Sequence, residues 1–231
     1  MNRSEKTARE KQPTPTIEDY LAVIYTLERD GEEVIPAHLA KSLEVTAPTV
    51  TVTLRRMERD GWVVNDQNTG IRLTKMGAEA AGSVIRRHML TEWMLTRMLN
   101  VSWSETHAEA DHIEHTISNE IEEKMRANLD DPRQCPHGNP LPGYEHLTDT
   151  WLPLTSIHAG EKVTIRRIHE TAEGNLDLLR FLESNQIVPG RVAEVREVLD
   201  FNQTISLRME DKDISLGFPA AQFLFVERIP A

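Results

Sequence analysis

The chain has 231 residues, 39% of them hydrophobic, which suits a globular protein of one large or two to three small domains. Its one cysteine, Cys135, excludes a disulfide framework or a thiolate cluster within one chain. No run of about 18 apolar residues occurs and the start, MNRSEKTAREKQPTPT, lacks the apolar core of a signal peptide, so a cytoplasmic protein with no membrane role is expected.

The net charge of −11 argues against nucleic-acid binding until its distribution is read. Residues 1–90 hold 13 Lys+Arg and 13 Asp+Glu, whereas residues 91–231 hold 13 and 24. The acidity therefore falls wholly in the later part, and the earlier part is free to present positive patches.

Residues 1–15 are expected to be a disordered tail, since a charged run broken by Pro13 and Pro15 buries almost nothing. From Thr16, the apolar residues Ile17, Leu21, Ile24, Tyr25 and Leu27 recur at helical spacing until Asp30-Gly31. Asp19 reads as an acid in the first turn, at the capping-box spacing from Thr16 and complementing the helix dipole. A short helix over 37–43 is followed by a second one that Thr46 can cap, with Pro48 in its first turn, a core stripe of Val50, Leu54 and Met57, and a stop at Asp60-Gly61. This pair is a helix-turn-helix. Its second helix offers Thr46, Pro48, Thr49, Thr51 and Val52 for phosphate contact and thymine-methyl packing, followed by Arg55, Arg56 and Arg59. Strand-like runs Trp62-Val63-Val64 and Ile71-Arg72-Leu73-Thr74 flank a turn-rich segment and make a wing. A winged helix-turn-helix over 16–80 that binds double-stranded DNA is expected, protein contact being the other use of such a domain.

Residues 88–115 carry four of the nine histidines, interleaved with carboxylates. His88 and Glu92 stand at i and i+4 on one helix face. Ser102 with Glu105 has the form of a capping box, so a second helix is expected from Trp103 toward Arg126. At about 100° per residue from His107, Asp111 falls at about 40°, Glu114 at about −20° and His115 at about 80°, all on one stripe that excludes Glu109 and His112. Imidazole and carboxylate donors so spaced can surround a divalent cation without bending the backbone. Incidental Glu/His pairs on solvated faces would explain one such pair, but not six donors on two stripes. Residues 81–150 are thus expected to be a helical metal-binding domain. The loop over 130–149, with CPHGNPLPG, holds Cys135, His137 and His146, read as loop residues without a metal role.

From Trp151 short alternating runs at 163–165, 192–198, 204–207, 214–216 and 223–226, with a short helix over 175–182, give a small β-barrel over 151–231. Its acids Glu170, Glu173 and Asp177 read as solvated surface. The fold class is α+β multidomain.

With Y-L-A-V-I-Y-T-L-E at 20–28, A-P-T-V-T-V-T-L-R-R-M-E-R-D-G at 47–61, H-x-x-x-E at 88–92, H-A-E-A-D-H-I-E-H at 107–115 and G-N-P-L-P-G at 138–143, nearly the whole chain resembles the diphtheria toxin repressor family of metal-dependent transcriptional regulators. The resemblance implies a homodimer, a helical dimerisation domain over 81–150 and an SH3-like barrel at the end. It implies a primary metal site of Asp19, Asp111, Glu114 and His115 and an ancillary site of His88, Glu92 and His107. The metal would join the N-terminal helix to the dimerisation helices, fixing the DNA-binding domains for a palindromic operator, as in a repressor of metal-uptake genes. Iron-sensing members place Met at the position of Asp19 and Cys at that of Asp111, and oxygen donors at both favour Mn²⁺. The manganese branch often has a second carboxylate where this chain has Ala22, and Glu at position 111, which keeps Fe²⁺ as the alternative. Ligands that some members take from the barrel align with Asn175 and Leu178, leaving Glu173 or Asp177 as substitutes.

A metalloenzyme built on the same donors is the competing class, since paired carboxylates on helices also occur in di-iron oxidases. The absence of a recognisable nucleophile, phosphate loop or triad weighs against it, and it leaves residues 36–75 without a use. A metal buffer that binds no DNA is the third reading.

Overall fold

The computed structural model describes residues 12–66 and 70–230; most of the expected tail, residues 1–11, and residues 67–69 of the expected turn-rich segment lie outside the described residues. Two compact units, Met1–Ile85 and Arg86–Ala231, share the helix α4, Lys75–Leu99. That helix runs without interruption through position 80.

In the first unit α1 spans Pro15–Arg29, α2 Pro36–Ser42 and α3 Ala47–Asp60. Proline opens α1 at its first position, where the missing N–H would have no helical partner. Asp19 therefore lies one residue beyond the first turn rather than in it, and Thr16 is already inside the helix. The expected cap of α3 is present: the Thr46 hydroxyl accepts from Thr49 N at 3.4 Å. At the other end Gly61, at φ +82°, lets the chain turn back so that Trp62 N reaches Met57 O at 2.9 Å. Strands β1, Val63–Asp66, and β2, Gly70–Leu73, pair antiparallel as the wing, with Val63 opposite Leu73. Ile17, Tyr20, Leu21 and Ile24 of α1 meet Leu39, Val50, Met57, Trp62 and Ile71 in one buried core, to which α4 adds Ala81. Gly77 allows that approach, because a Cβ there would lie 2.0 Å from Trp62 O.

In the second unit the expected helix over 103–126 is broken. α5 covers Thr106–Ile113, a 3-10 turn covers Glu114–Thr116, Ile117 is extended, and α6 covers Asn119–Asn128 with Ser118 as its cap. The expected capping box does not form, for Ser102 and Ser104 donate instead to the Glu183 carboxylate at 2.6 and 2.7 Å. Strands β3, Leu152–Pro153; β4, Lys162–Ile168; β5, Val192–Leu199; β6, Thr204–Met209; β7, Lys212–Gly217; and β8, Leu224–Arg228 form one antiparallel sheet in the order β3-β8-β4-β5-β6-β7. Bulges at Ile165/Arg167 and Val195/Glu197 bend it, as in small SH3-like barrels. Helix α7, Leu176–Ser184, is capped by Asn175 and buries Leu179 and Leu182 in the domain core with Val163, Ile165, Val195, Leu207 and Val226; the short α8, Phe218–Ala221, adds Ala221.

Candidate metal centre

Four pieces of the second unit converge on one cluster. Helix α4 presents His88 and Glu92 from successive turns, and α5 presents His107. The tight loop of Cys135 and His137 is closed by Cys135 N to Asn139 O at 2.8 Å. It lies directly on β4: Ile168 N donates to His137 O at 2.8 Å, and only glycine fits at position 138, where a Cβ would lie 1.9 Å from Arg166 O. The fourth piece is Glu173, after a 3-10 turn that follows β4.

His88 Nε2 lies 2.9 Å from His107 Nδ1 and 3.2 Å from Glu92 Oε1. His107 Nδ1 is 3.0 Å from Glu173 Oε2 and 3.5 Å from Glu92 Oε1. These separations match the edges of a coordination polyhedron, since neighbouring donors at about 2.1 Å from an octahedral ion stand about 3.0 Å apart. Glu92 is fully buried, and its Oε2 has no hydrogen-bond partner; the same holds for Nδ1 of buried His137, although Glu92 Oε1 is 3.2 Å away. Buried polar atoms are almost always satisfied, so two orphans facing one cluster fit an ion there.

The electrostatics agree. Burial alone would lower the His107 imidazole, yet the carboxylates of Glu173 and Glu92 raise it from 6.5 to about 10. Against the same burial penalty, Asp111, Glu114 and Glu92 lift His88 well above its ordinary value, and Glu92 and Glu173 lift His137. Burial pushes the Glu92 carboxyl up, but His137, His107 and His88 hold it well below the usual carboxylate range. The protein has thus gathered negative charge that calls for cations, and protons on imidazole are what it holds when no ion does so.

Beside this cluster His88 Nδ1 meets Glu114 Oε2 at 2.5 Å and Asp111 Oδ1 at 3.2 Å. The other Glu114 oxygen lies 3.6 Å from His115 Nε2. The helix break after Ile113 does not scatter the expected stripe, which still brings Asp111, Glu114 and His115 together, while His112 turns to its own backbone at Ala108 O. Asp19 stands half-buried on α1 in the first unit.

Three readings from the sequence are corrected. Glu173 is not solvated surface but 4% exposed, its Oε1 accepting from Asn139 Nδ2 at 2.5 Å, and Arg167 in turn donates to Asn139 Oδ1 at 2.5 Å. Neighbouring Glu170 is paired with Arg167 at 2.7 Å, and of the three acids only Asp177 is exposed. His137 and Cys135 are buried and, with Glu92, form a set of metal-capable atoms within 4.8 Å of one another. The signal for them was Cys-x-His within a turn of Pro and Gly. His146 is an exposed loop residue as expected.

On α3, Thr46, Pro48, Thr49, Thr51, Val52, Arg55, Arg56 and Arg59 are all exposed. Val52 is 67% exposed, which no core explains. Arg56 and Arg59 lean on Asp60 at 3.8 and 3.2 Å.

A winged helix, a helical segment crowded with imidazole and carboxylate, and an SH3-like domain are the three parts of a metal-dependent repressor. The comparisons with known proteins match the same three. Residues 13–71 match the iron dependent repressor N-terminal DNA binding domain, residues 74–143 the iron dependent repressor metal binding and dimerisation domain, and residues 152–228 the FeoA domain. The iron-dependent repressor IdeR of Mycobacterium tuberculosis is 32% identical over 225 residues, 93% of this chain and 97% of that protein. The diphtheria toxin repressor of Corynebacterium diphtheriae is 33% identical over 228 residues, 95% of this chain and 100% of that protein. The structure of a manganese-dependent transcriptional repressor in complex with manganese superposes with a TM-score of 0.82 at 30% identity, covering 92% of this chain and 100% of that one. The chain belongs to the diphtheria toxin repressor family of metal-dependent transcriptional repressors.

Proposed function

We propose that the protein is a homodimeric, Mn²⁺-activated repressor that binds a palindromic operator of metal-uptake genes in the cytoplasm. The observation that carries the metal dependence is the buried cluster of His88, Glu92, His107 and Glu173, whose donor separations suit an ion and whose charge calls for one. His88, Glu92, His107 and Glu173 would hold the ancillary ion. Asp111, Glu114 and His115, with Asp19 contributed from α1, would hold the primary ion, as the family resemblance implies. A divalent ion supplies positive charge that offsets the repulsion among these carboxylates. Oxygen and nitrogen donors at both positions favour Mn²⁺. Iron-dependent relatives favour the Fe²⁺ alternative, and the donor set tolerates it.

The DNA side rests on α3, whose exposed Thr46, Pro48, Thr49, Thr51 and Val52 would face base edges and phosphates, with Arg55, Arg56 and Arg59 near the backbone. The exposed apolar Met98, Leu99 and Ile121 on the helices that the dimerisation-domain model matches support a homodimer. Among the described residues no helix is long and apolar enough to cross a membrane. Family members are DNA-binding repressors, so the metalloenzyme and buffer readings are set aside.

Metal switches binding only if it favours the DNA-competent arrangement; moving that equilibrium from 1:99 to 99:1 takes about 5.5 kcal/mol of differential affinity. The test is binding of the metal-stripped protein to its own promoter region at fixed salt, with Mn²⁺, anaerobic Fe²⁺ and Zn²⁺ titrated in turn. Tight binding that appears at the lowest concentration with Mn²⁺ is expected. Fe²⁺ acting first would select the alternative ion, and equal binding with and without metal would remove the switch.

A further inference from the structure

We propose that the buried cluster holds two divalent cations, bridged by the carboxylates of Glu92 and Glu173, with His88 and His107 on one ion and His137 and Cys135 on the other. This rests on the metal-dependent reading above and goes beyond it in the number of ions and in the ligands assigned.

The two oxygens of Glu173 face different imidazoles: Oε2 lies 3.0 Å from His107 Nδ1 and Oε1 lies 3.7 Å from His137 Nδ1. Glu92 Oε1 lies 3.2 Å from His137 Nδ1. The same oxygen is 3.2 Å from His88 Nε2, while the buried Oε2 has no hydrogen-bond partner. One ion taking His88 Nε2, His107 Nδ1, Glu92 Oε1 and Glu173 Oε2 would leave His137 Nδ1 and Glu92 Oε2 buried and unmet. A second ion uses both, together with Cys135 Sγ, which lies within 4.8 Å of Glu92 and His137, and Glu173 Oε1 on the His137 side. Carboxylate-bridged pairs stand about 3.5–4 Å apart, a span that one carboxylate covers.

Charge decides whether two ions are tolerable. Two divalent cations bring four positive charges, and Glu92, Glu173 and the Cys135 thiolate bring three negative ones. Glu114 and Asp111, 2.5 and 3.2 Å from His88 Nδ1, add negative charge beside the pair. The Cys135 thiol proton leaves to solvent as the sulfur–metal bond forms. With oxygen and nitrogen donors the first position suits a hard ion such as Mn²⁺, while the sulfur donor makes the second accept softer ions such as Fe²⁺, Co²⁺ or Zn²⁺.

The probe is Co²⁺ under anaerobic conditions, added to the full chain carrying Asp19→Ala, Asp111→Ala and His115→Ala so that the primary position is absent. After gel filtration, two cobalt ions per chain are expected by elemental analysis, with a thiolate-to-cobalt charge-transfer band and a spin-coupled magnetic signal. His137→Ala in that background is expected to retain one ion and to lose the band and the coupling; Cys135→Ser is expected to lose the band. One ion per chain with no thiolate band before either substitution would overturn the pair and leave the metal-dependent reading standing. No retained ion would overturn both, and two ions surviving His137→Ala would overturn the ligand assignment.

Discussion

Loading the cluster with metal displaces protons, and the geometry sets how many. Burial opposes charge on His107, yet Glu173 and Glu92 raise its pKa to about 10, and Asp111, Glu114 and Glu92 raise His88 well above its ordinary value against the same penalty. His88 Nε2 and His107 Nδ1, 2.9 Å apart, can hold only one proton between them, so the facing pair is protonated once at pH 7. An ion bound through His107 Nδ1 and His88 Nε2 removes that shared proton, while His88 keeps the Nδ1–H that it gives to Glu114 at 2.5 Å. A displaced proton changes apparent affinity tenfold per pH unit, so going from pH 7 to pH 6 weakens binding about tenfold, or about 1.4 kcal/mol. The metal-free protein behaves oppositely. A pKa raised above the unfolded value contributes stability that is full below 6.5 and is lost as pH rises through about 10. Calorimetric titration of Mn²⁺ into metal-stripped protein, in buffers of different ionisation enthalpy, counts the protons, and denaturant unfolding of the metal-free form follows the second trend. Release of less than one proton per chain, with affinity flat between pH 6 and 8, would mean that the imidazoles are neutral and that the carboxylates do not act on them as described.

Three further outcomes are expected. Asn139→Ala removes the 2.5 Å donor to Glu173 and the acceptor of Arg167, and should lower Mn²⁺ affinity about 10–100-fold in competition with a chromogenic chelator. Unchanged affinity would place the orientation of Glu173 elsewhere. Gly138→Ala puts a methyl group 1.9 Å from Arg166 O at a position with φ +90°, so unfolding free energy in urea should fall by about 2–5 kcal/mol; a change within error would mean that the loop shifts freely. Arg55→Ala on the exposed face of α3 should weaken operator binding across sequences and reduce the salt slope by about 1. A fragment footprint altered at one base instead would make Arg55 a reader of sequence rather than of phosphate.

What the sequence by itself determined is local. α3 was legible from Thr46 to Gly61 because a cap, a helical stripe and a left-handed stop act within a few residues. The pairing of His88 with Glu92 followed from one turn of helix, and the wing from two short runs about a turn-rich segment. The break between α5 and α6 was missed because the segment from Glu114 to Ser118 holds no Gly or Pro; only Ser118, followed by Glu120 and Glu122, marked a new helix start. Recognition of the ancillary set left Glu173 as an open substitute and gave His137 no role at all. Their place depends on contacts distant in sequence. Gly138 must lie against Arg166 O, Ile168 N must reach His137 O, and Asn139 must hold Glu173 while Arg167 holds Asn139. Neither periodicity nor turn chemistry encodes such a meeting. Tertiary structure decided it, because only the packing of the loop on a bent β4 brings a histidine and a carboxylate of separate segments to the two helices that carry His88, Glu92 and His107.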